Sequence, residues 1–214
     1  MILAYYSMNL IPAFLLEGCL STIIKSAVLS GRQSIDTPIG LNTIYKLLTL
    51  YACLFRNENL FTQKFTYESL QYHTAFFAKK GIIEVSDDRS EAKLVHEDHS
   101  ISFIEFFHKL ILPLFDTYLI TLITIEQLCG KNLVIKQKTL VKQLHIGFKS
   151  LYSQGNIPML HSCLKETINT AIERFEQMKL LETTTYKNKK GNMTVFLRSP
   201  AESSKSITEI VEQM

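Results

Sequence analysis

The sequence predicts a mostly α-helical protein: a helical domain with two small β-hairpins, set out as two winged-helix-like halves. Three observations carry this reading. Apolar residues recur at spacings of three and four through most of the chain, the period of a buried helix face. Two apolar runs are each followed by a polar turn and a return run, the pattern of a hairpin. The order also occurs twice: a long helix, a shorter amphipathic helix, an apolar pair followed by Glu, then a polar hairpin. The apolar pairs are Ile82-Ile83-Glu84 and Leu180-Leu181-Glu182. Residues 1–98 form the first module, 99–200 the second and 201–214 a tail.

In order, residues 2–30 read as one or two helices, closed by the Gly- and Pro-punctuated break from Gly31 to Pro38. Residues 41–56 carry Ile44, Leu47, Leu48, Tyr51 and Leu54/Phe55 on one stripe. Thr66 is the expected N-cap of a helix bearing Tyr67, Leu70, Thr74 and Phe77, and Lys79-Lys80-Gly81 stops it. A short strand, Ile82–Val85, turns at Asp87-Asp88 and returns as Lys93–Val95. The second cycle opens with residues 101–129, which Pro113 is expected to kink or split. Residues 137–153 are amphipathic, facing inward through Leu140, Leu144, Phe148 and Leu151. A helix over 161–180, a strand from Leu180, a Lys/Asn-rich tip and a return over Met193–Leu197 complete the chain.

The chain has 214 residues, 46% of them hydrophobic and 20% charged. That is globular composition, enough for a core without disulfides or metals. A net charge of +3 is too small to imply nucleic-acid binding. Cys19, Cys53, Cys129 and Cys163 are far apart in sequence and lie in apolar stretches, so they are expected as reduced, buried thiols. The apolar start lacks the basic residue and cleavage site of a secretory signal; its first cation is Lys25. Asn9, Pro12 and Glu17 interrupt that run before the ~20 residues of a membrane span. A second apolar run, Leu110–Ile125, contains Pro113 and Asp116, and an unpaired Asp at mid-bilayer costs about 3 kcal/mol. Both runs read as buried amphipathic helices rather than clear transmembrane spans, with shallow docking on a membrane surface left open.

Reactive motifs are scarce. There is no phosphate-binding Gly loop, no dinucleotide fingerprint and no serine-hydrolase elbow. His96-Glu97-Asp98-His99 has metal-ligand residue types but reads as a solvated loop beside the first hairpin. His161 and Glu166 echo a His-x-x-x-x-Asp acid–base pair, yet on one helix residues five apart diverge by more than a turn. They read as solvent-facing residues at a helix start. Lys187, Lys189 and Lys190 form a basic hairpin tip that a winged helix could set against DNA. The preceding helix carries Glu166, Glu173 and Glu176, which oppose phosphate, so nucleic acid is not the expected partner. No catalytic, cofactor-binding or metal-ligating residue is assigned.

Three patches, Leu3–Phe14 (LAYYSMNLIPAF), Phe55–Phe61 (FRNENLF) and Pro113–Tyr118 (PLFDTY), in this order resemble segments of glycerol-3-phosphate and dihydroxyacetone-phosphate acyltransferases. Leu3–Phe14 resembles the L-A-Y-Y-R-N-x-[IL]-[IL]-H-x-F segment that opens their C-terminal region. Phe55–Phe61 resembles F-x-x-E-F-I-F, and Pro113–Tyr118 resembles P-[FY]-[VL]-[ED]-[SG]-Y within a long helix. Ser7 replaces the family's Arg and Pro12 its His, so no charge-dependent role carries over there. The family's His-x-x-x-x-Asp and its phosphate- and acyl-binding blocks do not occur in these residues.

The resemblance implies acyl transfer from the co-substrate acyl-CoA, with a histidine of the family's catalytic domain deprotonating the acceptor hydroxyl. It casts this chain as the helical C-terminal part that supports that domain. It also implies the cytosolic face of the mitochondrial outer membrane or endoplasmic reticulum, and a role in phospholipid biosynthesis. A tandem winged-helix module for binding protein or nucleic acid is the alternative.

Overall fold

The computed structural model describes residues 2–29, 38–58, 67–95, 97–129, 134–157, 164–187, 193–198 and 210. Among them are six α-helices and two three-stranded antiparallel sheets, a mostly α fold. The chain divides into two compact units, residues 1–112 and 113–214. The division falls inside a long helix, whereas the sequence pattern set the modules to meet at 98/99, where that helix begins.

In the first unit, α1 (Ile2–Leu29) leads to β1 (Ile39–Gly40), α2 (Leu41–Leu54), α3 (Tyr67–Lys79), β2 (Ile83–Val85) and β3 (Glu91–Leu94). α1 is two helical pieces joined at Phe14, whose φ of −127° and ψ of 19° leave the helical region two residues after Pro12. The sheet order is β1-β3-β2, with Ile39 opposite Ala92 and Ile83 opposite Leu94. The core gathers Leu20, Ile24, Ile44, Leu54, Phe55, Phe77 and Ile82. A chain of rings, Phe77–Phe103 at 5.3 Å and Phe103–Phe107 at 4.8 Å, extends it. Gly18 lets α1 approach the next helix closely: a Cβ there would lie 2.5 Å from Ile111 Cγ2.

That next helix, α4 (Asp98–Cys129), contains Pro113 and is not split by it. In the second unit it is followed by β4 (Ile135–Lys136), α5 (Gln137–Ser153), α6 (Lys165–Gln177), β5 (Glu182–Lys187) and β6 (Met193–Arg198). The sheet order is β4-β6-β5. Tyr118, Leu122, Leu140, Phe148, Ile168 and Phe175 form the core, with Tyr118 edge-on to Phe175 at 5.7 Å.

Both units therefore run helix, strand, helix, helix, strand, strand, with the first strand paired to the third. This is the connectivity of a winged helix. The two helix-to-strand junctions match bond for bond. In the first, Lys80 N–H donates to Phe76 O, Gly81 to Ala78 and Ile82 to Phe77. In the second, Met178 donates to Arg174, Lys179 to Glu176 and Leu180 to Phe175. Each junction has one residue in the left-handed region, Gly81 at φ +70° and Lys179 at φ +60°. These are helix ends closed by a reversed 6→1 bond.

The sequence pattern anticipated α5 at its observed bounds and every longer helix in its place. It overran α6, which stops at Gln177 because Lys179 reverses the chain; residues 161–163 lie outside the described residues. It set the first return strand at Lys93–Val95 where the ladder spans Glu91–Leu94. It also missed β1 and β4, which turn each hairpin into a three-stranded sheet. Thr66, residues 188–192 and the tail other than Ile210 lie outside the described residues.

Candidate functional site

The residues singled out in the sequence do not converge. His99 is exposed near the start of α4, and His96 lies outside the described residues. Glu166 is exposed in the first turn of α6, and His161 is not described. Lys187 is exposed at the end of β5; Lys189 and Lys190 are not described. Among the described residues, no three His, Cys, Asp or Glu side chains are grouped as a metal site. Cys19 is buried, and burial pushes its thiol well above the usual range. Cys53 is exposed, which corrects the expectation that all four thiols are buried: it occupies the outer face of α2. Cys129 and Cys163 are not described at side-chain level.

Two arrangements, one in each unit, carry more polar chemistry. In the first unit, the Thr22 hydroxyl donates to Gly18 O at 2.9 Å and lies 3.1 Å from His108 Nδ1. With the hydroxyl proton so used, the contact is satisfied when Nδ1 carries the ring proton. Partial burial, then the nearby Lys25 cation, lowers the His108 pKa to about 4, and Glu105 only partly offsets this. The ring is therefore neutral near pH 7. Glu105 joins Lys109 at 2.8 Å and Lys25 at 3.8 Å, and its own carboxyl is held below the usual range, chiefly by Lys109. Glu17 Oε1 lies 3.4 Å from His73 Nδ1 without hydrogen-bond geometry. A neutral imidazole tied to a buried threonine, with its neighbouring charges already paired, has the chemistry of a packed helix contact.

In the second unit, α5 and α6 flank an open groove of about 660 Å³. Lys138, Lys142, His145 and Lys149 line it from α5, at intervals of four, three and four residues, which is one helix face. Lys165 and Asn169 line it from α6. Val141 and Ile146 supply the apolar wall, and Gln137 Nε2 reaches Asn169 Oδ1 at 3.4 Å. Sequence reasoning missed this site. The lysine spacing on α5 was legible, but Lys165 arrives from another element.

Pro113–Tyr118, a stretch noted above for its resemblance, lies in α4. Pro113, Leu114, Phe115, Thr117 and Tyr118 are buried there, and the Thr117 hydroxyl donates to Pro113 O at 2.8 Å. These are structural positions. Among the described residues, α4 over Asp98–Gln127 is the one helix long and apolar enough to cross a membrane, and 44% of its most apolar window is buried. By length and composition alone this helix qualifies, and the same stretch builds the core through Ile111, Leu114, Tyr118 and Leu122, as expected of a buried amphipathic helix.

The molecule is a mostly helical protein of two units with winged-helix connectivity. Its sequence matches the family model of the glycerol-3-phosphate acyltransferase C-terminal region over residues 1–184, and the chain belongs to that family. The match ends within β5. No curated protein matches the chain.

Proposed function

We propose that this chain acts as the helical C-terminal domain of a glycerol-3-phosphate O-acyltransferase in glycerolipid and phospholipid synthesis. It supports a catalytic domain that holds the histidine base and binds acyl-CoA. The observation that carries this reading is the family match over residues 1–184. The burial of the family-like stretch Pro113–Tyr118 supports a scaffolding role, because these residues build a core instead of lining an open site. The partner is the catalytic domain, and the setting is the cytosolic face of the mitochondrial outer membrane or endoplasmic reticulum. Dihydroxyacetone phosphate is the alternative acceptor. The purified chain should release no CoA thiol from acyl-CoA with either acceptor, and it should co-purify with a family catalytic domain supplied separately. Turnover by the chain alone, or no association with that domain, sinks the proposal.

The helix–strand–helix–helix–strand–strand order favours a second reading, a tandem winged-helix module. Exposed Glu166, Glu173 and Glu176 on α6 oppose a phosphate backbone. A low-salt gel shift with duplex DNA separates the two readings, and a retarded band would favour the module.

A further inference from the structure

We propose that the α5–α6 groove of the second unit binds a phosphomonoester anion with an apolar portion. Its volume, about 660 Å³, lies within the roughly 300–1,000 Å³ typical of small-molecule sites. Lys138, Lys142, Lys149 and Lys165 bring four cations to one space, and no carboxylate lines it. None of the four forms an ion pair with a described carboxylate. Like charges facing one space repel, and an anion relieves that repulsion. A phosphomonoester carries about 1.5 to 2 negative charges near pH 7 and three strong acceptor oxygens, which suits several lysines at once. Val141 and Ile146, the latter 60% exposed, offer an apolar seat beside the cations.

The first unit shows that the fold does not require this charge. Aligned from its helix start, α2 presents Asn42, Lys46, Thr49 and Cys53 where α5 presents Lys138, Lys142, His145 and Lys149. Aligned from the matched junctions, Tyr67 stands where Lys165 does; aligned from the helix starts, Tyr45 stands where Val141 does. Those two rings meet edge-on at 5.5 Å, occupying the space between α2 and α3. In the second unit the corresponding space is open and basic. The inference stands apart from the acyltransferase reading, since the shape and charge of the groove carry it.

A soluble phosphate ester and a lipid headgroup share this chemistry. The test uses the full chain, with calorimetric titration of inorganic phosphate and of soluble short-chain phosphatidic acid. It adds sedimentation with phosphatidylcholine vesicles, with and without phosphatidic acid. We expect saturable binding of phosphatidic acid, weakened about tenfold or more by Lys142→Gln with Lys149→Gln. Val141→Tyr with Lys165→Tyr should close the groove as the first unit closes its own, abolishing binding while the circular dichroism spectrum is kept. Lys46→Gln with Lys79→Gln, on the first unit, should change nothing. Binding of the soluble lipid identifies a small-molecule site; binding in vesicles alone identifies a headgroup site. No binding in either form, equal loss in the control pair, inorganic phosphate binding as tightly as the lipid, or tighter binding of duplex DNA overturns the proposal.

Discussion

The two units share a strand order and a helix-ending bond pattern, yet they differ in what fills the matched spaces. Leu20, Ile24, Phe77 and Ile82 in the first correspond, at one constant spacing, to Tyr118, Leu122, Phe175 and Leu180 in the second, and all eight are buried. Three of the four pairs keep their size and apolar character, and the fourth sets Tyr118 against Leu20; all stay large and buried, because a cavity or a buried unpaired group is costly. The faces of α2 and α5 are under no such constraint: one is nearly neutral and meets a tyrosine pair, the other is cationic and open. A shared backbone thus separates what folding demands from what it leaves free.

The sharpest way to break this equivalence is to truncate its central rings. Phe77→Ala and Phe175→Ala should each cost about 3–5 kcal/mol in urea unfolding. A cost below about 1 kcal/mol at either site would show that the matched positions do not share a role. Gly18→Ala should cost about 1–3 kcal/mol, because a new methyl meets the branched Ile111 side chain, which is fully buried. Wild-type stability at this site means that the close approach of α1 is not needed.

His108 belongs to the first unit alone; by the same spacing its place falls at Leu10 or beyond the second cycle. Its folded pKa of about 4 lies below the unfolded value near 6.5. Above pH 6.5 both states are neutral and the ring adds no pH dependence. As pH falls from about 6.5 to 4, the unfolded chain takes up the proton first, so stability drops. With solvent screening of a half-exposed ring, the drop should be about 1 kcal/mol, and His108→Asn should flatten it in urea titrations at pH 7 and pH 5. The smallest effect compares the junctions. Gly81→Ala should cost about 1 kcal/mol, and Lys179→Gly should gain about 0.5 kcal/mol, since only glycine enters the left-handed region freely. Opposite signs, read from thermal midpoints, support one shared helix ending.

Long periodic elements were legible in the sequence, and short ones were not. α5 was readable at both ends because Leu140, Leu144 and Phe148 mark successive turns of one face. β1 and β4 have two residues each, too few for any alternation, and exist only because β3 and β6 lie beside them. The end of α6 was missed because Lys179 takes the conformation that Gly81 advertises by its identity. The basic groove was half readable: the α5 stripe is periodic, whereas its facing cation, Lys165, stands on a separate helix, α6.

One backbone bond has a broader meaning. The first amide of α2, Leu41 N–H, is held by Ser90 O at 2.8 Å, and the residue before it, Gly40, offers no side-chain cap. The start of an early helix is thus secured by a hairpin made near the end of its unit. On a ribosome, that helix would wait for most of the unit to emerge before its first turn could be locked, making assembly an act of closure rather than stepwise growth.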